Sequence, residues 1–150
     1  MQCYCCSGKL FSECCEPIIK GSTIATTPED LMRSRYSAFC TNNACYLVST
    51  HWPVEPDSRP QIQKTIDTTE WIGLKIIRSG VAQDKQTGMV EFVAFFEERG
   101  AQQLHEKSNF KTVDGKWFYV DGEHLPPVKL SRNDACFCGS RKKYKKCHDS

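Results

Sequence analysis

The sequence has no apolar run approaching the roughly 20 residues that span a bilayer as a helix, which excludes a helical membrane protein. It has little net charge. A formal balance of +2 selects neither nucleic acid nor a membrane surface as partner through long-range electrostatics. Met1-Gln2 leads straight into cysteines, without the basic and apolar segments of a secretory signal. The expected location is therefore the cytoplasm, where thiols stay reduced and clustered cysteines serve as metal ligands rather than disulfides.

Ten cysteines stand in 150 residues, and seven of them belong to one spacing that occurs twice. Cys3-Tyr4-Cys5, eight residues and Cys14-Cys15 form the first copy. Cys136-Phe137-Cys138, eight residues and Cys147-His148 form the second. Each copy offers four soft ligands, enough to close a tetrahedral zinc site with no open coordination position, the mark of a structural rather than a catalytic metal. Two structural zinc ions are expected, at Cys3, Cys5, Cys14 and Cys15 and at Cys136, Cys138, Cys147 and His148. Cys6, next to Cys5, offers an alternative ligand, and the two ends could instead share one metal. Segments this short have no core of their own, so metal binding supplies their folding energy, about 10–16 kcal/mol for zinc-finger peptides.

Between the modules the pattern is that of one folded domain, with 39% apolar and 11% aromatic residues. Thr27-Pro28 with Asp30 reads as a helix start, and Met32, Tyr36, Phe39 and Cys40 form one apolar stripe. Asn42-Asn43 breaks this helix, a second covers about 44–50, and Gln61 to Asp67 adds a turn or two. Four strands follow, with Ile72, Leu74 and Ile76 expected on one face of the first and Asp114-Gly115 as a hairpin turn. Helices followed by an antiparallel meander indicate an α+β domain. The expected division is 1–21 as the first zinc module, 22–125 as the central domain, and 126–150 as a linker with the second module. The central domain is expected to fold without either metal.

Five basic residues lie between Cys138 and Cys147 with no acid among them. Arg141 and Lys145, and Lys142 and Lys146, are spaced to share helix faces. They are the candidate partner-binding surface, for an acidic protein or a ribosome. A nucleic-acid partner is the less favoured reading.

Arg132-Asn133-Asp134 through Cys147-His148 closely resembles the SEC-C motif, departing at Ala135, Phe137 and Arg141. That zinc module is best known at the C-terminus of the bacterial preprotein translocase ATPase, where it contacts a chaperone and ribosomes. The N-terminal copy is a looser match, with Cys6 in the motif's glycine position. The whole chain is similar to the YchJ-like family of small bacterial proteins. The similarity rests on Leu31-Met32-Arg33-Ser34-Arg35-Tyr36-Ser37-Ala38-Phe39, Glu70-Trp71-Ile72-Gly73-Leu74 and Trp117-Phe118-Tyr119-Val120-Asp121-Gly122. The resemblance implies a nuclear-transport-factor-2-like cone, a curved antiparallel sheet against helices, between the two zinc modules.

Such a cone can enclose a cavity, and Arg35, Tyr36, Glu70 and His105 are the candidates to line it. No spacing among them forms a catalytic constellation, so no catalytic residue is assigned. Arg35 is expected to pair with a sheet carboxylate. The leading reading is a zinc-binding cytoplasmic adaptor. The alternative is an enzyme or small-molecule binder using the central cavity, with purely structural zinc.

Overall fold

The structure, a computed structural model, describes residues 1–130 and Cys136. A loop closed by a bridge between Gln2 and Leu10 leads into a short 3₁₀ turn and α1 (Cys15–Lys20). Helices α2 (Pro28–Cys40), α3 (Ala44–Ser49) and α4 (Arg59–Thr68) follow. Four strands then form one antiparallel sheet in chain order: β1 (Glu70–Val81), β2 (Thr87–Glu97), β3 (Ala101–Val113) and β4 (Lys116–His124). Among the described residues no helix is long and apolar enough to cross a membrane.

Helix α2 begins where its cap dictates. Thr27 Oγ1 accepts from the Asp30 backbone N–H at 3.0 Å, and Pro28 occupies the first turn, where its missing N–H costs nothing. The helix is buried far beyond the expected stripe. Leu31, Met32, Ser34, Arg35, Tyr36, Ser37 and Ala38 are all buried, whereas Phe39 and Cys40 are half-buried. The reason is that α2 is enclosed from several sides, by the sheet, by α1 with the cysteine loop, and by α3. Small hydroxyl residues permit that close approach: Ser34 Oγ donates to the Leu31 carbonyl at 2.9 Å and bonds Tyr46 OH at 2.6 Å.

The strands follow period two, with one informative break. Val90, Phe92 and Ala94 of β2 and Phe110 of β3 pack with Leu31, Met32 and Tyr36 on the helix side. In β1 the register shifts between Trp71 and Gly73 and again between Ile76 and Arg78. The first bulge brings Trp71 to the helix side with Leu74 and sends Ile72 to the outer side. The expectation that Ile72 shares a face with Leu74 and Ile76 is corrected by this extra residue. At the β3–β4 hairpin Asp114 and Gly115 both have positive φ, 52° and 80°, matching the right-handed strand twist.

Val93 and Phe95 form a second core on the outer face, with Ile72, Val128, Leu130 and Cys136. The proline-bearing segment after β4, which reads as a linker, is held against the sheet. Leu125 N–H donates to the His105 carbonyl at 2.8 Å, and Val128 exchanges two bonds with the Gln103 side chain at 2.8 and 3.0 Å. At the β4 edge, Trp52 N–H donates to the Tyr119 carbonyl at 2.8 Å and Tyr119 N–H to the Thr50 carbonyl at 2.9 Å.

Candidate metal centre

The N-terminal cysteines converge. The sulfurs of Cys3, Cys5, Cys14 and Cys15 all lie within 4.8 Å of one another. Cys5–Cys14 and Cys14–Cys15 are 3.7 and 3.9 Å apart. Tetrahedral zinc with Zn–S bonds of about 2.3 Å separates its sulfurs by about 3.8 Å, the spacing found in these two pairs. A disulfide would need the sulfurs at about 2.05 Å. Cys3, Cys5 and Cys15 are buried and Cys14 is half-buried, as a closed site requires.

Local backbone explains the convergence. Cys3 N–H donates to the Lys9 carbonyl at 2.8 Å and Cys6 N–H to the Cys3 carbonyl at 3.2 Å, which turns Cys3 and Cys5 inward. Cys6 sits at φ +63°, in the left-handed region that suits the glycine of the motif. Its thiol donates to the Tyr4 carbonyl at 3.6 Å and lies outside the four-sulfur group. Cys14 and Cys15 come from the junction of the 3₁₀ turn with α1.

Four thiols so close cannot all ionise unaided. Hydrogen bonds from Cys15 and Cys5 hold the Cys3 thiol far below the ordinary range. The Cys15 thiol, which donates to Cys3, is pushed far above it. Burial first, then the neighbouring sulfurs, raise Cys14 to about 11. A divalent cation is the group that lets all four act as thiolates. Zinc bound here would be structural, because four protein ligands leave no place for a substrate.

The site is built into the main core. Cys3, Cys5 and Cys15 belong to the same packed cluster as Leu31, Met32, Phe92 and Trp117. Ser37 Oγ of α2 lies 3.6 Å from Cys3 Sγ, and Arg33 Nη1 donates to the Cys5 carbonyl at 2.8 Å. Of the second ligand set, Cys136 is buried with Val93 and Phe95 on the outer face, in a different cluster from the N-terminal four. Cys138, Cys147 and His148, and Arg141, Lys142, Lys145 and Lys146, lie outside the described residues.

The central domain encloses a cavity of about 380 Å³ between α2, α4 and the sheet. Arg35 and Tyr36 line it. Glu70 and His105 do not. Glu70 is exposed at the start of β1, opposite Glu97. His105 belongs to the outer face: Nε2 meets Glu91 Oε2 at 2.8 Å and Nδ1 the Pro126 carbonyl at 2.6 Å. Strand phase is the cause, since the neighbour Glu106 takes the inward position between Leu104 and Ser108. Glu106 is buried and lines the cavity, a residue that sequence reasoning missed.

Glu106 Oε2 accepts from Ser108 Oγ in a very short bond and from Tyr119 OH at 3.1 Å. Arg35 takes no sheet carboxylate as its ion-pair partner. It donates to the Leu47 carbonyl at 2.8 Å and Thr50 Oγ1 at 2.6 Å, and its guanidinium stacks 4.9 Å over the Tyr119 ring. Burial lowers the Arg35 pKa to about 10, which leaves the side chain charged at neutral pH.

Comparison with known proteins agrees with this architecture. A family model described as the middle, NTF2-like domain of YchJ matches residues 27–122, and the SEC-C motif matches residues 132–148. A UPF0225 protein of Sodalis glossinidius is 43% identical over 150 residues, covering 97% of this chain and 96% of its own length. A UPF0225 protein of Geobacter sulfurreducens is 38% identical over 157 residues, with the same coverage of 97% and 96%. The solution structure of a SEC-C motif containing protein from Rhodopseudomonas palustris aligns with a TM-score of 0.72 at 32% identity, covering 84% of this chain and 100% of that one. The crystal structure of a SEC-C motif containing protein from Psychrobacter arcticus aligns with a TM-score of 0.69 at 30% identity, covering 94% and 86%.

Proposed function

The chain belongs to the YchJ-like UPF0225 family of SEC-C motif proteins, and from that premise we propose that it is a cytoplasmic zinc-stabilised adaptor. In this reading Cys3, Cys5, Cys14 and Cys15 hold one zinc and Cys136, Cys138, Cys147 and His148 hold a second. The C-terminal module then presents Arg141, Lys142, Lys145 and Lys146 to an acidic protein surface or to the ribosome.

The observation that carries the proposal is the closed four-sulfur group. A metal with four protein ligands fixes shape and does no chemistry of its own. In this reading its role is to hold a surface, and the basic run between Cys138 and Cys147 would provide one. Thiolate ligation also suits a reducing compartment.

The test is sedimentation with purified ribosomes, alongside capture of protein partners from lysate. The full chain is compared with the double variant Lys142→Glu, Lys146→Glu. Binding should fall with added salt, since exposed charges are screened over about 8 Å at physiological ionic strength. The double variant should lose binding while keeping its zinc. Equal retention of the variant and the parent would remove the proposed surface.

A further inference from the structure

We propose that the groove between α1, α3 and the start of β4 binds a free aliphatic carboxylate, with its alkyl chain on the apolar floor and its carboxylate between Lys20 and Lys116. This goes beyond the adaptor reading, because it uses neither set of metal ligands nor the basic run between Cys138 and Cys147.

The floor defines the ligand's body. Ile18, Ile19, Ile24, Leu31, Trp117 and Phe118 line a space of about 340 Å³, at the small end of ligand pockets, which run from about 300 to 1,000 Å³. Leu31 and Trp117 are buried at its base, Ile18, Ile19 and Phe118 are half-buried, and Ile24 is 56% exposed. The apolar wall therefore reaches solvent, and a chain laid along it removes that surface from water.

The rim defines the ligand's charge. The lining holds two lysines and no carboxylate, so the groove complements an anion. Lys116 is exposed and makes no ion pair among the described residues. Lys20 meets Glu16 at 3.6 Å with its own side chain 68% exposed, a surface pair too weak to withhold the ammonium group. The carbonyls that end α1, which would repel an anion, are covered: Ile18 accepts from Gly21 N–H at 3.2 Å and Pro17 from Ser22 N–H at 2.9 Å.

The remaining polar groups favour an alkyl chain over a peptide. Tyr46 OH bonds Ser34 Oγ at 2.6 Å, and Trp117 Nε1 donates to the Thr26 carbonyl at 3.3 Å. Ser49 Oγ and Thr50 Oγ1 donate to the Tyr46 carbonyl at 3.0 and 2.7 Å. These walls already satisfy their own hydrogen bonds. A peptide backbone set among them would lack partners, whereas an alkyl chain asks for none.

The test uses three probes on the full-length protein at neutral pH: octanoate, hexanoate, which is two methylenes shorter, and octylammonium, which carries the opposite charge. Binding is followed through the backbone amide signals of Ile24 and Phe118 in an assigned proton–nitrogen correlation spectrum. Octanoate should shift both signals. It should bind about 4- to 15-fold more tightly than hexanoate, the effect of burying two methylenes in part or in full. It should bind about 2- to 10-fold more tightly than octylammonium, the effect of exposed charge pairs. Lys116→Glu should erase the preference over octylammonium, and Ile24→Ser should weaken octanoate binding. Both positions are exposed, so both variants keep the fold. The proposal is overturned if millimolar octanoate leaves the two signals in place, if hexanoate or octylammonium binds the parent equally well, or if the preference for the anion survives in Lys116→Glu.

Discussion

Arg33 Nη1 reaches across from α2 and donates to the backbone carbonyl of Cys5 at 2.8 Å, while its Nε holds Glu29 Oε2 at 3.0 Å. Helix α2 thus grips the cysteine loop at the second candidate metal ligand. Arg33→Met removes the donor and keeps most of the apolar stem. It is expected to cost about 1 kcal/mol, because the side chain is partly solvent-accessible. It should also speed zinc loss to a chromogenic chelator. Unchanged release kinetics would show that the loop does not depend on this contact.

Chelation should destabilise the whole chain. The sequence suggests a central domain indifferent to its metals, but Cys3, Cys5 and Cys15 share the core of Leu31, Phe92 and Trp117. Four crowded thiols without a cation set that core under electrostatic and packing stress. A ligand that binds the folded state raises the melting temperature by mass action, and its removal lowers it. Near-ultraviolet and far-ultraviolet dichroism should therefore fall together, several degrees lower, after zinc removal. A sheet signal that melts as before would return the cysteine loop to the status of an appendage.

Gly122→Ala should displace Glu106. A Cβ at this position would collide with the Glu106 carboxylate, which is itself held by Ser108 and Tyr119. Overpacking of this kind costs about 1–3 kcal/mol. Gly80→Ala is the comparison for replacing a strand glycine alone, since nothing lies near that position. Equal losses at both sites would mean that the clash is relieved without cost.

Phe95→Ala on the outer face should cost about 3–5 kcal/mol, the range for deleting a fully buried ring. Denaturant titration gives the value. A loss near that of an exposed substitution would show that residues 125–130 do not cover the sheet in solution.

Acid should loosen that same cover. The hydrogen bond from His105, and then Arg78, holds the Glu91 carboxyl below its ordinary value of 4.5. A carboxylate with a lowered folded-state pKa stabilises above its unfolded value, and the contribution fades as pH falls through the folded one. Stability should therefore decline below the ordinary carboxylate range in the parent and less steeply in Glu91→Gln. Identical acid limbs would dismiss the pair.

The parts of this architecture governed by short-range chemistry were legible in the sequence. Thr27-Pro28 with Asp30 announced α2, Asp114-Gly115 announced a hairpin, and the doubled cysteine spacing announced the four-sulfur group. The central cavity is legible in part. Arg35 and Tyr36 follow from the helix, whereas the inward sheet position belongs to Glu106 and not to His105. The signal for Glu106 was present, since it alternates in phase with Leu104 and Phe110, both packed on the helix side. Trp71 was harder. Glycine inside a strand pattern hints at a bulge, yet its position and direction depend on pairing with β2, a long-range property. Burial all round α2 was equally hidden, because it requires the cysteine loop to fold back on a helix that follows it.

The hydrogen bonds from residues 50–52 to Tyr119 have a bearing on self-association. An unpaired strand edge is a template for another chain, and open-ended stacking needs such an edge on both sides of a sheet. Here Trp52 and Thr50 already occupy backbone groups of β4, and Trp52 adds an edge-on ring contact to Phe118. The opposite edge, β1, has no strand beside it among the described residues, but it carries two bulges and the exposed cations Lys75 and Arg78. The bridge at Tyr119 and the two bulges of β1 each interrupt the regular ladder that a further chain would extend. The fold thereby favours discrete species over fibres at the concentrations where its apolar strands would otherwise invite them.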